Sequence, residues 1–186
     1  MAETTPVEVG EEDPGAKLAE ASIYKLGRIF AKDGRYQSLA DLLGTIRPFF
    51  ESAAKAKTAK IVRTIIDLMA SIEGAEARST LIQLCTDSID WCVREKRSFL
   101  RQRIEFRLAG LLLDAFDYPG SLKLINPLLR EIKRIDDKAL LVEVQLLDSK
   151  VHHALRNLSK TRSSLTNART TVREAPSPTP VAWAAR

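Results

Sequence analysis

The amino-acid sequence predicts an all-α fold: an α-solenoid of stacked antiparallel helical hairpins. Three observations predict it. Turn residues are scarce, because between Pro48 and Pro119 the only glycines are Gly74 and Gly110, and strand-built folds need such residues far more often. Apolar residues recur at steps of three and four, the spacing of a single helix face. A helix-packing pattern also returns along the chain, with Tyr118 and Leu158 as equivalent positions 40 residues apart, longer than the tetratricopeptide unit of about 34 residues.

Residues 1–15 form an acidic leader, with Glu3, Glu8, Glu11, Glu12 and Asp13 and no Lys or Arg. Few large apolar groups occur there, so we expect it to be disordered. The solenoid is expected over 16–173. Breaks near Asp33-Gly34, Arg47-Pro48, Gly74, Asp117 to Gly120, Asp136-Asp137 and Arg156-Asn157 divide it into roughly eight helices of about 12–20 residues. Ile61, Ile65, Leu68, Met69 and Ile72 make one stripe. Leu100, Ile104, Leu108, Leu111, Leu112 and Ala115 make a second, and Leu140, Val144, Leu147, Val151 and Leu155 a third. Short links between helices make neighbours antiparallel. Residues 174–186 carry Pro176, Pro178 and Pro180 at alternate positions, and we expect a disordered, extended tail. Ser177-Pro178 and Thr179-Pro180 within it have the form of proline-directed phosphorylation sites.

The repeat is tetratricopeptide-like in its chemistry. Leu26-Gly27, Phe30, Gly34, Tyr36 and Leu43 set the pattern: a small residue lets two helices approach, and an aromatic fills the gap beyond. It returns as Leu108-Ala109, Leu112, Tyr118, Ile125 and Leu128, and more faintly as Ser149, His152, Leu158, Leu165 and Ala168. The last hairpin has a thin stripe ending in Leu165, Ala168 and Val172. Its far side is expected to be uncovered and frayed.

Composition bounds the function. The chain has 186 residues, 45% of them apolar, enough for a packed core in one domain or a short repeat array. No run of apolar residues is long enough to cross a membrane as a helix. The acidic N-terminus lacks the layout of a secretory signal. With Cys85 and Cys92 as the two cysteines, a disulfide framework is excluded and a reducing compartment is expected.

Residue constellations for chemistry are missing. Cys85 and Cys92 lie seven residues apart on the stripe of Leu81 and Ile89, which suits buried thiols better than metal ligands. His152 and His153 are adjacent and diverge by about 100° on a helix. No HExxH, Gly-rich phosphate loop or GxSxG occurs. We therefore expect no enzyme activity, no cofactor and no metal.

Charge offers one feature. The leader holds five acids, so the remaining chain carries +10. The basic run Arg94, Lys96, Arg97, Arg101, Arg103 and Arg107 straddles a helix junction, with Glu95 and Glu105 interrupting it. It reads first as a solvated solenoid edge, and second as a nucleic-acid track near Trp91, Phe99 and Phe106. A third reading is a docking surface for an acidic protein. Arg94, Lys96, Arg97, Arg101 and Arg103 are the candidate protein-contact surface, and Phe99 and Leu100 are expected in the core.

Three stretches resemble one family: IRPFFESAAKAKTAKIVRTIIDL, WCVREKRSFLRQRIEFRLAGLLLD and REIKRIDDKALLVEVQLLDSKVHHALRNLSKTRSSLTNARTT. It is the non-ATPase lid subunit of the 26S proteasome regulatory particle, numbered six in yeast and eleven in animals. The resemblance runs from about Ala21 to Thr171. It implies an N-terminal solenoid preceding a PCI domain, here truncated before that domain. It also implies a non-catalytic scaffold in ubiquitin-dependent degradation, linking the lid to the ATPase ring and the core α-ring. Its partners would be other lid subunits, ATPase-ring subunits and the α-ring, in cytoplasm and nucleus, with no membrane. The rival from another class is a basic helical-repeat protein associated with RNA. After Thr171 the resemblance stops at VREAPSPTPVAWAAR, and Pro119-Gly120 departs from the family pattern at a helix start, where proline is tolerated.

Overall fold

A computed structural model describes residues 14–174. Every regular element among these residues is an α-helix. The helices are α1 (Pro14–Lys32), α2 (Tyr36–Thr45), α3 (Phe49–Ser52), α4 (Lys55–Ala70), α5 (Ala75–Arg94), α6 (Ser98–Asp114), α7 (Tyr118–Ile135), α8 (Lys138–Ala154) and α9 (Leu158–Glu174). Apart from Pro14, Gly15 and Glu174, the expected leader and tail lie outside the described residues, as do Ser177 and Thr179. The chain divides into two compact units, the first ending at Leu81 and the second starting at Ile82.

In the first unit α1 packs against α4 and α2. Gly27 shows why a small residue recurs in the repeat: a Cβ there would lie 3.2 Å from Leu68 Cδ1 and 3.9 Å from Leu39 Cδ2. The stripe of α4 is buried as its spacing predicts, with Ile61, Ile65 and Met69 essentially inaccessible alongside Leu39, Leu43 and Phe50. Burying each such side chain contributes about 1.5–3 kcal/mol. One break was not legible. Ala53 and Ala54 are extended, with ψ of 147° and 138°, although SAAKAK is a good helix-forming sequence. Packing of the fully buried Phe50 on one side and Thr58 on the other overrides the local propensity.

The second unit repeats with a regular beat. Lys96, Phe116, Asp136 and Arg156 all have positive φ, between 53° and 62°, and fall every 20 residues. Each stands just past a helix and two residues before the next, so helix, turn and helix return at this interval and a hairpin takes 40. At three of the turns the closure is the same. The residue after the left-handed one donates five residues back: Arg97 N to Cys92 O, Asp117 N to Leu112 O and Asn157 N to His152 O, each at 2.9 Å. The left-handed residue itself donates three back, which completes a Schellman cap. The residue that closes one helix is also the cap that opens the next, so the connection cannot be shorter. At Asp136 a single bond to Ile132 O takes the place of this pair.

Consecutive helices from α6 to α9 pack on one another, and α6 also touches α8. Ile125, Leu128, Ile132, Leu140, Val144 and Val151 are fully buried in one cluster with Ala109. Ser121 donates its hydroxyl to Ala109 O at 2.8 Å where the two backbones come close. Phe99 departs from expectation: it is 68% exposed, whereas Leu100 is buried. One residue earlier on a helix is a rotation of about 100°, which turns Phe99 off the stripe of Leu100, Ile104 and Leu108.

Candidate protein-contact surface

The basic residues singled out in the sequence fall in the second unit, at the end of α5, in the following turn and on α6. The fold does not gather them into one patch. Arg94 and Lys96 are exposed. Arg97 is half-buried and lies over the Trp91 ring, 4.9 Å from its centroid, a cation–π contact. Arg101 bridges Glu105 on its own helix at 2.8 Å and Glu131 on α7, to which Gln102 also donates at 3.4 Å. Arg103 faces Asp137 and Glu143, each at 3.7 Å. Arg101 and Arg103 thus tie α6 to its neighbours, while Arg94 and Lys96 present charge outward.

Glu105 is the least exposed carboxylate in this network. Burial holds its carboxyl above the usual range, and Arg101 opposes that shift. Burial also pushes the thiols up, Cys85 to about 12 and Cys92 to about 11, against nearby arginines. They are protonated at neutral pH, inaccessible and inert as nucleophiles or ligands. No group of three or more His, Cys, Asp or Glu suited to a metal ion occurs among the described residues.

The α8–α9 seam holds an arrangement the sequence did not reveal. Ser164 donates to Asp148 at 2.5 Å, and His152 Nε2 lies 3.6 Å from the other carboxylate oxygen. Thr171 donates to Gln145 at 3.2 Å on the same seam. Serine, aspartate and histidine are the residue types of a hydrolytic triad, but here the carboxylate lies between the other two. Nucleophilic catalysis needs the imidazole beside the serine. All three are buried in the helix interface, so the cluster fastens α9 to α8.

Sequence reasoning also passed over a cleft between α6 and α8. It has a volume of about 110 Å³ and is lined by Phe106, Arg107, Gly110, Leu111, Asp114 and Leu147. The only signal was Gly110, which faces open space: an added Cβ would meet nothing within 4 Å.

Comparison with known proteins places related sequences beside this chain. A family model described as the 26S proteasome regulatory subunit RPN6 N-terminal domain matches residues 2–115. The 26S proteasome non-ATPase regulatory subunit 11 of Dictyostelium discoideum is 44% identical over 153 residues, which are 82% of this chain and 37% of that protein. Its homolog in Arabidopsis thaliana is 45% identical over 164 residues, 86% of this chain and 39% of the relative. The 26S proteasome regulatory subunit RPN6 of Saccharomyces cerevisiae is 39% identical over 159 residues, 86% and 36%. The chain spans less than two-fifths of the length of these relatives.

Proposed function

Since this chain belongs to the family of the 26S proteasome regulatory subunit RPN6 N-terminal domain, we propose that it is a non-catalytic scaffold of the proteasome lid. In this reading it holds protein surfaces together in ubiquitin-dependent degradation, in cytoplasm and nucleus. Its partners are other lid subunits, the ATPase ring and the core α-ring. The observation that carries the reading is the family match over residues 2–115. The physical character of the fold supports it. Stacked hairpins bury their apolar stripes against one another and leave their outer faces for partners. Of the candidate residues, Arg101 and Arg103 pair with acids on neighbouring elements, Arg97 lies over the Trp91 ring, and Arg94 and Lys96 are exposed to meet a partner.

Isolating the tagged 186-residue chain from cell extract and identifying its companions tests this reading. Lid or ATPase-ring subunits are expected in amounts comparable to the bait. Their absence from a soluble, folded bait overturns the proposal. Charge reversal at Arg94 and Lys96 should weaken the association without changing thermal stability, because neither side chain is tied into the network of Arg101 and Arg103.

A further inference from the structure

We propose that the cleft between α6 and α8, together with the hairpin tips beside it, is a docking site for an acidic segment of another protein carrying a large apolar anchor side chain. The site does not depend on which assembly the chain joins. Forty residues separate equivalent positions of α6 and α8, so the α6–α7 and α8–α9 turns are neighbouring tips of successive hairpins. At these tips Phe116 is 77% exposed and Leu155 44% exposed. The opposite tips read Glu95-Lys96-Arg97 and Asp136-Asp137-Lys138 and are charged. One edge of the unit therefore presents large apolar side chains beside Asp117 and Arg156, and the turns of the other present charged residues alone.

The backbone of Phe116 closes the α6–α7 turn, but its side chain serves no purpose of folding. It holds φ at 62°, a conformation that bulky residues avoid, and its ring is mostly in solvent. Its ring stands edge-to-face with Tyr118, centroids 6.4 Å apart at 89°. An exposed aromatic beside an apolar cleft has the features of a binding anchor.

The cleft opens just inside this edge, ending at Asp114 two residues before Phe116. Its volume of about 110 Å³ accepts a side chain and excludes a cofactor, since small-molecule pockets run to roughly 300 Å³ and above. Phe106, Leu111 and Leu147 give it an apolar lining. Charge selects the occupant. Arg107 lines the cleft, and Lys150 and Arg156 are exposed on α8 and at its tip with no ion-pair partner among the described residues. Asp114 is the single carboxylate of the lining, and Asp117 at the adjacent tip is turned to the start of α7, where it accepts from Gly120 N. A segment with a Leu or Phe anchor flanked by Asp or Glu satisfies both the cleft and its rim.

Fluorescence anisotropy on the 186-residue chain tests the site with two short capped peptides. One places Leu and Phe among Asp and Glu; the other replaces the acids by Lys. The acidic peptide is expected to bind at least about tenfold tighter, with affinity falling as salt rises. Two variants that cannot be dismissed as unfolded then decide. Phe116→Gly removes the left-handed strain, and Gly110→Leu projects into open space. Both should keep or raise Tm while weakening the acidic peptide by roughly fivefold or more. Equal binding of the two peptides, preference for a single-stranded RNA probe, or unchanged affinity in both variants overturns the proposal.

Discussion

Phe116 and Arg156 hold the same left-handed backbone conformation, φ 62° and 58°, at equivalent tips of successive hairpins. Neither is a residue that accepts this conformation without cost, and Lys96 at φ 53° is a third. Glycine takes it freely, and the left-handed region costs other residues about 1–2 kcal/mol. Lys96→Gly and Arg156→Gly should therefore each stabilise the protein by about 1 kcal/mol, part of which is offset by the greater freedom of glycine in the unfolded chain. Asp136→Gly should gain less, because aspartate tolerates this region better. Urea unfolding of the three variants checks the order.

The start of α7 depends on a glycine for a different reason. Asp117 Oδ1 accepts from Gly120 N at 2.9 Å, and a Cβ at Gly120 would fall 2.2 Å from Oδ2 of the same carboxylate. Alanine would force the cap aside, which offsets its gain in helix propensity of about 1 kcal/mol. Gly110→Ala faces no such obstacle. We expect Gly110→Ala to raise Tm and Gly120→Ala to leave it level or lower it. Asp117→Ala should cost about 1 kcal/mol.

Stability should carry a pH signature from Glu105. Its carboxyl titrates above the ordinary glutamate value of 4.5 because burial disfavours the charge. Between the unfolded and folded values the native state binds more protons, so this group's contribution to stability falls as pH rises through that window. At neutral pH the penalty is present; in acid below 4.5 it is gone. Glu105→Gln keeps an acceptor for Arg101 and removes the charge. The Tm of this variant relative to the parent should be more favourable at pH 7 than in acid. A difference that does not move with pH would exclude Glu105 as the source.

Cys85 and Cys92 should resist alkylation in the native protein. Both side chains are at most 1% exposed, and their thiols are raised to about 12 and about 11. Iodoacetamide labelling at neutral pH should be slower than in the unfolded chain by the fraction of molecules in which the unit is open. Rapid labelling without denaturant would show that the C-terminal part of α5 opens locally.

Removing the hydroxyl of Ser164 should be costly out of proportion to its size. Asp148 is only 7% exposed, and Ser164→Ala takes away the donor that its carboxylate uses. An unsatisfied buried acceptor costs about 1–3 kcal/mol. Amide exchange over α9 should accelerate in this variant before exchange over α7 does.

The amino-acid order by itself determined the helical class, the 40-residue hairpin and most of the buried stripes. These follow from periodicities of one helix face, which are local: Ile61 to Met69 or Leu140 to Val151 must share a side whatever lies opposite. Short links then leave adjacent helices no choice but to pair. Tertiary structure alone decided the rest. Arg101 and Arg103 read as a free basic edge because their partners Glu131, Asp137 and Glu143 are distant in the chain and reach them only when α7 and α8 dock. The break at Ala53-Ala54 and the outward turn of Phe99 are likewise decided by what packs beside them. The cleft at Gly110 exists only between two helices, so no run of residues on either could announce it. Periodicity says which side of a helix is greasy, while the identity of its neighbour is a three-dimensional fact.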